Sequence, residues 1–378
     1  MKPMTELSEI FNEDRGNQKH PDTHDETFSQ DEVRLANRNA GTLLDTLHHE
    51  ITPTGLHYLL THFDVPDLDA DTHTLQFLEG FKAPFSLDLS AIEALPQIDM
   101  PVTLECAGNG RAGISPRAHS MPWHYEAVGT SIWTGTPLRP LIERAQPERD
   151  TIDIVFTGAD EGFDKGIRHH FGRSLNVEQI QSLDVMLVHR MNGQPLLPQH
   201  GAPFRLIVPG WYGMASVKWL SRIDAINTPY QGFQQVNTYR YRKHKDEAGI
   251  PVSSLRVKSL MQPPGIPDWK TRVRYVQPGR VTISGKAWSG NGTAITKLEF
   301  DDGSGWNSCA ISPPTEKYAW TAWSFDWQAT PGDHMLRCRA TDANGNVQPE
   351  APPWDASGFG NNAVQQVPVH VSDKITQE

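Results

Sequence analysis

The sequence has few cysteines and no long hydrophobic run, and both shortages narrow what the protein can be. Its 378 residues include three cysteines, at positions 106, 309 and 338. Three cysteines cannot form a disulfide framework, and such usage is typical of a reducing compartment. No segment approaches the roughly 20 apolar residues that a membrane-spanning helix needs. The first residues lack the basic start and apolar middle of an export signal, so we expect a cytoplasmic protein without a membrane partner.

Positive charge is also scarce. The chain has 34 Lys and Arg against 45 Asp and Glu, a formal net charge of -11. A surface of this sign repels nucleic acid and anionic lipid, so we expect neither as a partner. Residues 1–50 hold eleven acidic and five basic side chains. In the rest of the chain acidic and basic side chains are nearly equal in number, so a local anion-binding site is possible.

The distribution of apolar residues predicts two folded regions after an acidic extension. Residues 1–45 are polar and poor in large apolar groups, which favours a mobile or surface-draped extension. Strand and helix patterns alternate from 46 to 245. From 250 to 375 the helical pattern is absent, and short strands are separated by Gly, Asp, Asn and Pro. We therefore expect a mixed α+β domain followed by an all-β sandwich.

Local patterns place some of the elements. Residues 101–106 predict a buried strand that runs into a glycine-rich loop, and apolar residues recur at helical spacing from 138 to 145. Trp323, Phe325 and Trp327 alternate with polar residues, which puts their side chains on one face of a sheet. Further strands are predicted at 151–156, 185–188, 204–208, 280–288, 295–300 and 334–341.

Cys106 ends the first of these strands and opens the loop Cys-Ala-Gly-Asn-Gly-Arg. Glycines after a strand let backbone amides approach a ligand closely, and Arg111 can help keep a thiol ionised. Three other interpretations remain open at this point. Cys106 can be a small buried hydrophobe, a zinc ligand without a CxxC or HExxH partner motif, or a nucleophile paired with one of 16 histidines.

Segments on both sides of this loop resemble the sulfite oxidase family of molybdenum enzymes. The resemblance covers roughly residues 50–372 and leaves out the acidic extension. The similar segments are the cysteine-ligand loop at 103–111, Trp123 and Trp133-Thr134-Gly135, Thr157 to Asp160, the long stretch 191–220, WSG at 288–290, CRATD at 338–342 and NVQP at 346–349.

This resemblance implies a sulfite-oxidase-type molybdopterin domain at 46–245 and an Ig-like dimerisation domain at 250–375, hence a homodimer. It implies molybdenum held by a pyranopterin dithiolene, with the Cys106 thiolate as the protein's metal ligand. The implied reaction is two-electron oxygen-atom transfer that oxidises sulfite or a related small oxyanion. The alternatives are a sulfoxide-type reductase of the same fold and a cofactor-free binding protein that uses its Ig-like domain.

The resemblance also assigns individual residues. Tyr239 matches the phenol beside the substrate, with Tyr230 or Tyr241 as competing assignments, and Arg111 matches an arginine near the site. These two are the predicted catalytic residues. The predicted cofactor-binding residues are His62, Asp160, His200, Arg205, Ser216, Val217 and Lys218, whose cations suit phosphate and whose carboxylate suits the amino groups of the pterin.

Two positions depart from the family pattern. Leu60 stands where a substrate arginine is expected, two residues before His62, and Gln366 stands at a second expected arginine in the final strand. A desolvated dianion needs several fixed cations, so these departures weaken sulfite as the substrate. We hypothesise that the positive charge of the two missing arginines is replaced by that of Arg111, Arg168, His169 and His170. No CxxCH haem motif occurs, so electrons are expected to pass to oxygen or to a separate partner such as a cytochrome.

Overall fold

The computed structural model describes residues 28–244, 246–314 and 316–373. Two regions follow one another along the chain, a mixed one to residue 251 and an all-β one beyond it. The helices are α1 (Gln30–Asn37), α2 (Leu89–Glu93), α3 (Arg139–Ala145) and α4 (Val177–Ser182), all in the first region. No helix in the described ranges is long and apolar enough to cross a membrane.

Two large sheets build the first region, one mixed and one antiparallel. One has the strand order β2-β1-β10-β5-β6, and the other has the order β3-β4-β7-β8 with β9 also paired to β7. The strands are β1 (Thr74–Phe77), β2 (Phe85–Asp88), β3 (Ile98–Glu105), β4 (Val128–Pro137), β5 (Asp153–Asp164), β6 (Ile167–Asn176), β7 (Met186–Met191), β8 (Gln194–Pro195), β9 (Arg205–Ile207), β10 (Leu220–Ile226), and the short pair β11 (Arg240–Tyr241) and β12 (Ile250–Pro251).

Two further sheets form the sandwich of the second region. Their strand orders are β13-β16-β20-β19 and β14-β15-β22-β21-β17-β18. The strands are β13 (Lys258–Met261), β14 (Ile266–Pro267), β15 (Arg274–Val276), β16 (Gly279–Trp288), β17 (Ile295–Asp301), β18 (Asn307–Ser308), β19 (Ala310–Ser312), β20 (Thr321–Ala329), β21 (Gly332–Asp342) and β22 (Gln365–Val371). The predicted order, a mixed domain followed by an all-β sandwich, is confirmed.

Side-chain periodicity explains the packing of each region. Trp323 and Trp327 on β20 are buried in the sandwich core, and Phe325 packs against the same core, as their alternation predicted. The core of the mixed region is built on fully buried strand residues such as Phe77 and Phe156. The short helices begin at capping side chains, as when Asn176 accepts from the backbone N–H of Gln179 at the start of α4.

The described part of the predicted acidic extension, residues 28–45, is anchored to the mixed region. The Ser29 hydroxyl and the Glu32 carboxylate form a capping box at the start of α1. Glu32 is buried and forms an ion pair with Arg117. The main chain of Ala40 pairs with that of Leu59 in an isolated antiparallel bridge. Residues 1–27 lie outside the described residues.

Candidate active site

β3 ends at Glu105, one residue before the end of the predicted strand, so Cys106 is the first residue after β3. Its thiol is buried, and its sulfur accepts a hydrogen bond from the backbone N–H of Gly108 at 3.4 Å. A Cβ at position 108 would lie 2.6 Å from the guanidinium of Arg111, so only glycine permits this close approach. Burial raises the pKa of the Cys106 thiol, and the positive charge of Arg111 acts against that rise.

Cys106 lies on the wall of a cleft that is open at its mouth and is lined by both polar and apolar side chains, as ligand sites in proteins are. Eight of the ten predicted site residues lie on its wall. They are Cys106, His62, Asp160, His200, Arg205, Ser216, Lys218 and Tyr239.

One end of the cleft carries two cations held by main-chain carbonyl groups. The Lys218 ammonium donates to the carbonyl oxygens of Leu60 and Gln199 at 3.0 and 3.1 Å. The Arg205 guanidinium donates to the carbonyl oxygens of His200 and Ser216, both at 2.9 Å. These bonds fix the direction of both side chains. The end of the cleft is therefore preorganised for an anion.

Burial sets the protonation of the groups around these cations. It lowers the pKa of Lys218 to about 7, and the charge of Arg205 adds to this effect. It lowers the pKa of His200 to about 3, which keeps the imidazole neutral at pH 7. It raises the pKa of the Asp160 carboxyl to about 6, against the opposing charge of Lys218. A bound anion would stabilise the charged form of Lys218.

A tyrosine–histidine pair also lies on the wall of the cleft. The Tyr239 hydroxyl lies 2.5 Å from Nε2 of His62. Burial lowers the pKa of His62 to about 3 and raises that of Tyr239, so both groups are neutral at pH 7 and share one proton across this contact. A π-helical turn at Gln234–Thr238 delivers Tyr239 to this position. The competing tyrosines, 230 and 241, do not line the cleft.

Comparison with known proteins agrees with this geometry. The family model of the oxidoreductase molybdopterin binding domain matches residues 62–234, and that of the Mo-co oxidoreductase dimerisation domain matches residues 251–372. Mitochondrial sulfite oxidase of Homo sapiens is 30% identical over 350 residues, which cover 85% of this chain and 62% of that protein. The chain belongs to the sulfite oxidase family.

Other members and one solved structure are also similar. Nitrate reductase [NADH] 1 of Oryza sativa subsp. japonica is 30% identical over 356 residues, which cover 86% of this chain and 39% of that enzyme. The chain thus spans between 39% and 62% of the length of these relatives. The sulfane dehydrogenase SoxCD of Paracoccus pantotrophus superposes with a TM-score of 0.75 at 23% identity, over 92% of this chain and 91% of that chain. That likeness supports the mixed domain followed by an Ig-like sandwich.

The family's molybdenum–molybdopterin cofactor fits the residues of the cleft. Nε2 of His57 on the wall and Nε1 of Trp133 behind it are buried without a hydrogen-bond partner. The His57 and Trp133 rings meet edge to face at 6.4 Å, beside His200 and Arg205. A bound group with polar atoms would satisfy such nitrogens. A thiolate is a ligand type suited to a redox metal, and the two cations suit a phosphate.

Two residues predicted for the site do not reach the wall of the cleft. Arg111 lies behind it, where its guanidinium donates to the carbonyl oxygens of Ser357 and Met121 at 2.9 and 2.7 Å. The Val217 side chain is fully buried and does not line the cleft either. The assignment of Val217 to the cofactor stays a prediction.

The positions that depart from the family pattern are placed differently from each other. Leu60 lies on the wall of the cleft, so the missing arginine leaves an apolar surface there. Gln366 is exposed on β22 opposite Arg337 and does not line the cleft. The glutamine in place of an arginine at this position therefore adds nothing to the wall of the cleft.

Sequence reasoning missed several residues of the wall. His57 and Tyr58 lie there, as does Phe171, whose ring packs on that of His62 with centroids 4.7 Å apart. His57 lies five residues before His62 in a segment that already resembled the family, and that proximity was a usable signal. Phe171 carried none, because an aromatic residue in a strand is more often part of the core.

Proposed function

We propose that this chain is a molybdopterin-dependent oxidoreductase that carries out two-electron oxygen-atom transfer, with sulfite or a related small oxyanion as the substrate that is oxidised. The observation that carries the proposal is a buried cysteine sulfur in one cleft whose wall also holds two fixed cations and a tyrosine–histidine pair. Similarity to sulfite oxidases and to nitrate reductases supports molybdopterin-dependent redox chemistry.

The residues of the cleft divide the work of holding the cofactor. Cys106 would supply the protein's sulfur ligand, and Lys218, Arg205 and His200 would hold the phosphate. Asp160 would accept hydrogen bonds from the amino groups of the pterin. When bound, the group supplies two-electron redox chemistry at its metal. The carbonyl bonds to Lys218 and Arg205 keep both cations in place before the phosphate arrives, which reduces the ordering cost of binding.

Tyr239 and His62 handle the proton on the substrate side. In the tautomer with an unprotonated Nε2, the phenol donates to the neutral imidazole and holds a proton at the Tyr239 oxygen. Phe171 covers the imidazole ring and excludes water from one of its faces. Arg111 is proposed to position the Cys106 loop through its carbonyl bonds and to add positive charge near the sulfur.

A reductase of the same fold is the second candidate, because nitrate reductases are as similar to this chain as sulfite oxidases are. Sulfite oxidation with an artificial electron acceptor should be measured beside nitrate and sulfoxide reduction with an artificial donor. We expect turnover of sulfite or a related oxyanion. Faster reduction of nitrate or of a sulfoxide would replace our proposal with the reductase.

Metal analysis of the purified protein tests the ligand assignment. We expect about one molybdenum per chain in the wild type and loss of most of it in Cys106→Ser, because the hydroxyl is a poor ligand for a soft redox metal. Cys309→Ser, at a half-buried cysteine of the second region, should keep its molybdenum. A folded Cys106→Ser protein with a full complement of metal would refute the assignment.

We further propose a homodimer formed through the Ig-like domain, a separate electron acceptor such as a cytochrome or oxygen, and a cytoplasmic location. The dimerisation-domain match at 251–372 supports the homodimer. Three unpaired cysteines support a reducing compartment. Sedimentation equilibrium should give twice the mass of the chain, and a monomer at micromolar concentration would contradict the dimer.

A further inference from the structure

Arg173 is a buried cation that none of these roles uses. It lies on β6 and is 4% exposed. Phe171, two residues earlier on the same strand, places its ring on the wall of the cleft. Side chains two residues apart on a strand share a face, so Arg173 points to the same side, and its guanidinium lies next to the wall of the cleft rather than on it. Its guanidinium lies over the ring of Tyr239, 5.6 Å from the centroid.

The charge of Arg173 has little compensation. Its one hydrogen bond runs from NH1 to the carbonyl oxygen of Gln234 at 2.9 Å, and its Nε–H is buried without an acceptor. In the described part of the chain no carboxylate pairs with it. The other buried arginines of the site, 111 and 205, each hold at least two carbonyl oxygens.

Such a group is costly to keep in a folded protein without a function. Buried charges in proteins are paired or bind a ligand, because an uncompensated one loses its hydration and regains nothing. Burial lowers the pKa of Arg173 to about 10, so the group still carries its charge at neutral pH. A small anion beside Tyr239 would supply the missing counter-charge.

We propose that Arg173 is the cation that selects an anionic substrate beside Tyr239, in a cleft where Leu60 replaces an expected arginine. The ligand class is a small tetrahedral or trigonal oxyanion, whose oxygens match the planar fork of a guanidinium. The role of this anion as the reacting substrate rests on the proposed function. The anion site itself rests on the burial, the orientation and the unfilled Nε–H of Arg173.

Calorimetric titration of the molybdenum-loaded protein with sulfate tests the proposal. The loaded protein is used because the cofactor's own phosphate then occupies the Lys218 end. Wild type should bind one sulfate per chain, and Arg173→Gln should weaken binding about 10- to 100-fold, the loss expected for a charge-assisted contact. The glutamine keeps a donor for the Gln234 carbonyl group. Arg168→Gln is the matched control, because Arg168 is exposed on the same strand and pairs with Glu161 at 2.8 Å.

Equal sulfate affinity in Arg173→Gln and wild type overturns the proposal, as does a wild type without saturable sulfate binding. If sulfate binding weakens in Arg168→Gln instead, the cation that binds the anion is Arg168 on the exposed hairpin, and the proposal for Arg173 is wrong. If Arg173→Gln does not fold, Arg173→Met replaces it. If neither folds, wild type is titrated with dimethyl sulfone, a neutral analogue, and binding as tight as that of sulfate overturns the proposal.

The two proposals fail separately. If the sulfate affinity of the molybdenum-loaded protein does not depend on Arg173, only the proposed role of this arginine is refuted. If the purified protein contains no molybdenum, the proposed function is refuted. In that case the titration is made with the Lys218→Met variant, in which the cations proposed to bind the phosphate no longer compete for sulfate. Sulfate binding that still depends on Arg173 would support the anion site.

Discussion

Glu105, the residue before the proposed metal ligand, is held by side chains of the second region. The ammonium of Lys258, which is 1% exposed, donates to the Glu105 carboxylate at 2.8 Å. It also donates to two main-chain carbonyl oxygens, at 3.3 and 2.9 Å. The indole of Trp288 donates to the other carboxylate oxygen at 2.9 Å. The sandwich therefore fixes the start of the Cys106 loop.

Lys258→Met should be strongly destabilising. Removing one partner of a buried ion pair leaves an uncompensated carboxylate and costs about 3–5 kcal/mol. We expect a lower midpoint in urea denaturation and less molybdenum per chain, because the loop at Cys106 loses its anchor. Lys297→Met removes a half-exposed ion pair of the sandwich and should cost at most about 1 kcal/mol. Equal stability of the two variants would contradict this account.

Gly108→Ala tests the close approach inside the cysteine loop. The new methyl group would meet the Arg111 guanidinium at 2.6 Å, so the side chain must leave its two carbonyl partners. We expect a loss of about 1–3 kcal/mol in unfolding free energy, as for overpacked sites. Gly55→Ala, where nothing lies within 4 Å of the new atom, is the control and should stay near wild type.

At the scale of elements, the segment from α1 to residue 42 acts as a strap over the mixed region. Asn39 accepts a hydrogen bond from the backbone N–H of Thr61 at 2.8 Å. Arg38 donates to the carbonyl oxygen of His62 at 3.2 Å. These contacts, with the bridge at Leu59, hold the stretch that carries His62 into the cleft. A segment that composition assigns to the surface thus supports the site.

Glu32→Ala should loosen this strap. The change removes the capping box of α1 and leaves Arg117 without its buried carboxylate partner. We expect a loss of about 3 kcal/mol, the order found when one partner of a buried pair is removed. Faster proteolytic cleavage between residues 28 and 60 should accompany it. Asp31→Ala is the control, because it removes only an exposed ion pair with Arg34. If Asp31→Ala is cleaved as fast as Glu32→Ala, the strap does not depend on Glu32.

At the scale of the whole molecule, buried neutral histidines should make the metal-free protein sensitive to acid. Burial lowers the pKa of His57 to about 4, and those of His62 and His200 to about 3. The unfolded chain, with histidine pKa values near 6.5, binds more protons below that pH. The free energy of unfolding is therefore highest above about pH 6.5 and falls as the pH drops toward about 4.

Replacing one of these histidines should flatten that profile. In His57→Leu, the unfolding free energy measured from pH 7 to pH 4.5 should fall less steeply than in wild type. His48→Gln, at an exposed histidine, should keep the wild-type slope. A His57→Leu slope equal to that of wild type would show that the residue does not titrate in this window.

The sequence by itself determined the order of the two regions, the cysteine loop and most of the proposed site. These features depend on residue type and local spacing: alternating apolar residues on β20, glycines after β3, and cations in the stretch 191–220. Tertiary structure alone decided that Arg173 is buried without a counter-ion, that Lys258 anchors Glu105 from 153 residues away, and that Gln366 faces solvent. Burial and missing partners arise when distant segments pack together, so no local pattern reports them.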